Sequence, residues 1–260
     1  MNGLKIFLHS LRQVSGNLSM AIRVSGGFWL LMVAASFALG LTIAMTQSAF
    51  LTGVLGIAVL VFLVWGISMV AVVWHRYILL EELPSGFLPT RPGLRIWPYF
   101  WYGIGIAAIV VLALAIMFFV TTIFVDPKTI YHAFDQTVLS LEFSDVALRF
   151  AVGLLSSLIY LRLALILPAV ALDSSLTLGD SWGETKSFTG SIIVVAILLS
   201  VLNGGATIVF DVARQSVLGN GGLLLAIVLI TVAFQWFYFM LNISILSTLY
   251  GHIVQKREVY

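Results

Sequence analysis

An arginine interrupts an apolar run. The stretch "IYLRLALILPAVALD", residues 159–173, sets Arg162 among Ile159, Leu161, Leu163, Leu165, Ile166 and Leu167. A guanidinium keeps its charge in any protein environment. A cation so placed contacts an anion, a lipid headgroup or a substrate, or else it serves the fold by capping carbonyls or pairing with an acid. Pro168 supplies carbonyls of that second kind, because a proline has no N–H and leaves the acceptor near Ala164 unfilled. Arg162 lies 13 residues beyond Arg149, about 20 Å along a helix. That depth is past the middle of a hydrocarbon layer about 30 Å thick.

Two neighbouring stretches carry the other reactive side chains. "WHRYILLEELP", residues 74–84, holds His75, Arg76, Glu81 and Glu82. Arg76 and Glu81 miss the favoured four-residue spacing of a helical ion pair. The Trp-His-Arg-Tyr run is the composition of interface anchors. An enzyme working on headgroups would need His75, Glu81 and Glu82 to meet in one pocket. "ALDSSLTLGDSWGETKSF", residues 171–188, offers Asp173 and Glu184, the latter reaching Arg162 only if the segment folds back. The candidate substrate- or lipid-binding residues are therefore Arg162, Arg76, His75, Asp173 and Glu184. No catalytic set, metal site or cofactor is expected. His9, His75 and His252 fall on one predicted side, but no local spacing makes them ligands. With no cysteine in the chain, thiol nucleophiles and cysteine-held clusters are excluded.

The elements that must position these residues follow from composition. Of 260 residues, 61% are hydrophobic and 9% charged, where a soluble domain carries about 25% charged residues. Mean hydropathy is +1.10. Lipid is the solvent this chain fits. The pattern predicts an all-α integral membrane protein with six spans, near 27–45, 51–74, 97–125, 146–172, 191–210 and 223–252. The short link at 46–50 makes the first two spans antiparallel neighbours, and three such hairpins are expected.

Residues 1–26 form the first unit, 27–252 the membrane domain and 253–260 a tail. Within the first unit, residues 4–22 repeat apolar side chains at helical spacing, with Lys5, His9, Arg12, Gln13, Asn17 and Ser19 opposite. This amphipathic helix lies in the membrane interface or packs on the inner side of the bundle. No cleavable leader is evident, since the apolar run after residue 26 is too long for one.

Orientation comes from the short-loop cations. Nine lie on the side of the N-terminus (Lys5, Arg12, Arg23, Arg76, Arg91, Arg95, Lys186, Lys256, Arg257) and three on the other (Lys128, Arg149, Arg214). Both termini are then cytoplasmic, and Trp74, Trp97, Trp101, Tyr99 and Tyr102 form an aromatic belt at that boundary. On the other side an acidic loop, 126–145, contains "DPKTIYHAFDQ", which starts like a short capped helix. Gly53 and Gly56 suit close packing of the first two spans. Asn203 and Asn242 read as interhelical hydrogen-bond partners. Gly204, Gly205, Gly219, Gly221 and Gly222 flank an irregular turn.

The stretch "RLALILPAVALDSSLTLGDSWGETK", residues 162–186, resembles the core motif of a broad group of bacterial polytopic membrane proteins. That group includes the membrane domain attached to some glycerophosphoryl diester phosphodiesterases. Arg162, Pro168, Asp173, Ser181 and Lys186 carry the resemblance, while Gly183 and Glu184 stand where the group suggests an Arg-Ser pair. The resemblance implies a six-helix domain of the bacterial inner membrane, without a phosphodiesterase domain in this chain.

The function expected is that of a non-catalytic accessory or scaffold subunit, or a lipid-organising module. Membrane lipids, with a protein partner or a second copy, are its expected company. The alternative is a small-molecule or lipid transporter with Arg162 as its anion contact. No basic strip with aromatic interleaving argues for nucleic acid.

Overall fold

The computed structural model describes residues 2–46, 48–84, 95–124 and 143–258. Residues 126–142 of the acidic loop, with its predicted short helix and Lys128, lie outside the described residues, as does Arg91. Those described form helices and turns only. In chain order the helices are α1 (Gly3–Gly16), α2 (Leu18–Met45), α3 (Ala49–Leu80), α4 (Ile96–Phe124), α5 (Phe143–Leu163), α6 (Ile166–Ala171), α7 (Leu178–Thr185), α8 (Thr189–Ser216) and α9 (Gly221–Ile253), with a 3₁₀ turn at Lys186–Phe188 before α8. Six helical segments are long and apolar enough to cross a membrane.

Two boundaries differ from expectation for identifiable reasons. The amphipathic segment is not one helix over 4–22, and 18–26 belong to the first span. Asn17 breaks it, its side-chain amide donating to Gln13 O at 2.9 Å and drawing the backbone away from helical geometry. The fourth span ends at Leu163 instead of Leu172. Pro168 cannot serve the carbonyl of Ala164, which instead takes the N–H of Leu167 at 3.0 Å across a turn. α6 then ends in a Schellman-type turn, Ser174 N–H reaching Ala169 O at 2.8 Å with Asp173 in the left-handed region.

The core is concentrated at one end of the bundle. Buried side chains come from the start of α2 (Ala21, Val24, Phe28), the end of α3 (Met69–Trp74, Leu79), the start of α4 (Tyr99, Phe100, Ile106), all of α6, the start of α8 (Ile192–Leu199) and the end of α9 (Met240–Ile253). The opposite halves of α2, α3, α4, α8 and α9 expose their apolar side chains (Leu30, Phe37, Ile57, Val111, Phe119, Val209, Leu229). In a bilayer, lipid covers such surface.

α9 binds the packed end together through a polar row, Ser244, Ser247 and Thr248. Trp74 donates to Ser244 Oγ at 2.9 Å, His75 meets Ser247 Oγ at 2.8 Å, and Ser10 lies 3.0 Å from Thr248 Oγ1. Small hydroxyl residues let helices approach while giving buried polar groups a partner.

α1 presents three faces. Gly3, Ile6, Ser10 and Val14 are buried, and the helix packs against α8 and α9. Leu4 and Leu8 on the adjoining side are exposed, and Lys5 and Arg12 lie beyond them. Gln13 and Asn17 leave the predicted solvent face, Gln13 meeting Thr248 at 3.3 Å and Asn17 accepting from Tyr77 Oη at 2.9 Å.

Gly3 is required for this docking, because a Cβ there would sit 2.4 Å from Ser191 O and 2.7 Å from Val194 Cβ. Gly3→Leu is expected to lift the start of α1 from α8. Hydrogen exchange should then rise in residues 3–10 while α8 and α9 stay protected. Unchanged exchange in α1 would contradict the docked geometry.

Candidate functional site

The five sequence candidates all sit at the packed end, where Arg162, Arg76, His75 and Asp173 make contacts between elements and Glu184 does not. Arg162 occupies the last turn of α5 and is half-buried. Its Nη2 donates to Thr189 Oγ1 at 2.6 Å, and its guanidinium lies 5.0 Å from the centre of the Trp182 ring. The expectation that it caps freed carbonyls or pairs with an acid is corrected. Ala164 O takes Leu167 N–H, Ser181 Oγ serves the two carbonyls before it, 2.7 Å from Arg162 O and 2.9 Å from Leu163 O, and no acid among the described residues pairs with Arg162. A hydroxyl projecting from α7 fits the gap at the helix break better than a guanidinium on a long stem.

Arg76 grips Glu82 with two parallel bonds, 2.8 and 2.7 Å, and donates to Ala171 O at 2.9 Å. The partner is six residues away because Glu81 adopts φ 58, in the left-handed region, and turns the chain back over the helix end. Spacing rules for a continuous helix could not show this pair. Arg76→Gln removes the two guanidinium bonds to Glu82 and opens the α3–α6 link. At this partial exposure the expected loss is about 1–2 kcal/mol of stability by thermal melting in detergent. Arg76→Lys should recover only part of it, lacking the fork. Wild-type melting in Arg76→Gln would show the clamp to be idle.

His75 is fully buried and is no interface anchor, nor is Trp74. Ser247 Oγ gives its proton to Ile243 O at 3.0 Å, so His75 Nδ1 donates to Ser247 and Nε2 accepts from Tyr99 Oη at 3.2 Å. Of the predicted belt, Trp97, Trp101 and Tyr102 are exposed, whereas Trp74 and Tyr99 are core. Asp173 pairs with Arg95. Glu184 is exposed, and its predicted contact with Arg162 is absent among the described salt bridges. His75, Glu81 and Glu82 do not converge, since His75 is enclosed, Glu82 is held by Arg76 and Glu81 is exposed. The three histidines have separate partners, His9 beside Gln13 and His252 beside Arg257 O.

The other half of the bundle contains the feature that the sequence reading missed. Beyond Ser200 the ends of α5, α8 and α9 enclose two chambers with Arg149 and Thr207 in the wall of both. One is about 470 Å³, the other about 430 Å³. Both volumes fall within the range of ligand pockets. Three helices contribute polar stripes. α5 supplies Arg149, Ser156 and Ser157, α8 supplies Ser200, Asn203, Thr207, Asp211 and Arg214, and α9 supplies Thr231, Gln235 and Tyr238. The intervals along α8 are three, four, four and three residues, the spacing of a single helix face. That periodicity was readable, but each polar residue read singly looks like an ordinary hydrogen-bonding side chain.

Electrostatics concentrate at the wall between the chambers. Asp211 Oδ1 accepts from Arg214 Nη2 at 2.6 Å, and Asp211 Oδ2 is 3.7 Å from Arg149 Nη1, beyond a hydrogen bond. Among the described residues, Arg149 Nε is buried without a partner. Asn203 lines a chamber instead of bridging helices. Asn242 donates within its own helix, to Tyr238 O at 2.7 Å. The predicted close-packing glycines, Gly53 and Gly56, face open space, and Gly66 makes the close approach.

No protein-family model, curated protein or solved structure matches the chain. The helices themselves define the class, an α-helical protein whose six long apolar segments suit a multi-pass membrane protein.

Proposed function

We propose that this chain is a non-catalytic, lipid-organising membrane protein, built as three antiparallel hairpins with both termini cytoplasmic, in the bacterial inner membrane. The observation that carries the reading is the pair of chambers between α5, α8 and α9. Their walls combine Ser156, Asn203 and Thr207 with Val146, Phe150, Val201 and Val228, and Val201 and Val228 are themselves surface-exposed. A polar floor opening onto an apolar surface accommodates an amphiphile, with its headgroup inside and its chains among the surrounding lipids. The nine-to-three cation bias supports the orientation, and the resemblance of residues 162–186 supports the bacterial placement. Arg162, the anion contact of the transport alternative, is not among the residues lining these two chambers.

The test fills the chamber. Gly204 lines the larger chamber and a Cβ there meets nothing within 4 Å, so the side chain of Gly204→Trp starts from open space at the chamber wall. Wild-type protein purified in mild detergent should retain phospholipid at a fixed ratio, quantified by native mass spectrometry, and Gly204→Trp should lose it. Equal retention by both proteins, or none by either, would end the lipid reading. A stoichiometric protein partner without bound lipid would favour an accessory subunit.

A further inference from the structure

We propose that the chambers hold a phosphate-ester anion, with Arg149 as its principal cation. This rests on the lipid reading above and names the headgroup chemistry. Two guanidiniums face one carboxylate, leaving one positive charge, and Asp211 is already committed to Arg214 at 2.6 Å. Arg149 is 3.7 Å from that carboxylate, outside hydrogen-bond range, with Nε buried and unpartnered among the described residues. A guanidinium cannot shed its proton to escape burial; the Arg149 side chain keeps 21% of its surface and lines both chambers, so its outer N–H groups gain from an added acceptor there.

The neighbouring hydroxyls are arranged consistently with this. Ser156, Ser200, Thr207 and Thr231 donate to carbonyls of their own helices. The side-chain donors left for a ligand are the Arg149 guanidinium in both chambers, Ser157 Oγ, the Asn203 amide and Tyr238 Oη in the first, and the Gln235 amide with the remaining N–H groups of Arg214 in the second. Guanidinium geometry matches two phosphate oxygens at once. A free cation would meet the two arginines first and is disfavoured. A phosphodiester lipid and a soluble phosphate ester present the same chemistry.

Delipidated full-length protein in detergent is titrated, by native mass spectrometry, with phosphatidylglycerol, phosphatidylcholine and glycerol 3-phosphate. Charge-assisted hydrogen bonds of the kind Arg149 offers predict about a tenfold preference for phosphatidylglycerol over phosphatidylcholine. Arg149→Gln should abolish that preference, lowering phosphatidylglycerol binding far more than phosphatidylcholine binding. Asp211→Asn, which removes the competing carboxylate, should raise the preference, and it keeps the test decisive if Arg149→Gln fails to fold. Binding of glycerol 3-phosphate with no binding of either lipid would uphold the phosphate site and overturn the lipid reading. Equal binding of the two lipids, unaltered in both variants, would overturn the phosphate site while the lipid reading stands.

Discussion

Trp74→Ala should destabilise the protein by about 3–5 kcal/mol, the range for removing a large aromatic side chain from a closed core. Trp74 has no exposed surface, and its ring lies 5.6 Å from that of Tyr77. Its indole N–H is the donor to Ser244 Oγ at 2.9 Å, on the helix that binds the packed end together. The substitution opens a cavity where α3 meets α9. Trp74→Phe retains most of the apolar volume and should lose less, while Ser244→Ala strands a buried N–H at about 1–3 kcal/mol. Reversible denaturant titration in mixed micelles measures all three. If Trp74→Ala changes stability by less than about 0.5 kcal/mol, the scale of an ordinary surface substitution, the side chain sits at the membrane interface as its sequence context suggested.

Gly66→Leu is the second large effect. A Cβ at Gly66 would fall 1.7 Å from Cε2 of Phe28, inside the ring's own volume, and Phe28 is only 1% exposed. The ring is also 5.7 Å from that of Phe62, so it has little freedom to swing aside. Overpacking of this kind costs about 1–3 kcal/mol and sometimes more, and α2 and α3 must separate to relieve it. Phe28→Ala vacates the volume that the added side chain needs. The double variant should therefore be more stable than the sum of the two single losses, with a coupling of about 0.5–3 kcal/mol for residues in contact. Gly53→Ala and Gly56→Ala supply the contrast. Both positions face open space, and both variants should melt like wild type or slightly above it, given alanine's better helix propensity. Strict additivity of Phe28→Ala with Gly66→Leu would remove the ring-on-glycine contact from the account.

These two residues mark the limit of sequence reading here. Hydropathy over 20-residue windows is a local property, and it carried the all-helical class and the six long apolar segments. The basis is that every backbone group in lipid must be satisfied within its own helix. Pro168 and Asn17 also acted locally, one through its missing N–H and the other through its side-chain amide. Their kinked or broken helices were accessible to the same reasoning, although only the proline was used that way.

Which glycine meets a ring is a different kind of question. Gly53, Gly56 and Gly66 are alike in sequence, and only the crossing of α2 over α3 places Phe28 at one of them. The same holds for charge. Arg76 finds Glu82 because a left-handed residue folds the chain back, and Ser181 reaches the carbonyls of Arg162 and Leu163 from a separate helix.

The chamber belongs to both levels. The polar residues of α8 recur on one face, and that face follows from the helical period alone. Whether such a face packs, meets lipid or lines a space depends on where α5 and α9 diverge from it. Sequence alone determined the solvent this protein fits and the elements it builds. Tertiary structure decided which polar groups became structural partners and which were left facing a cavity, because contacts between helices depend on relative placement that no single segment encodes.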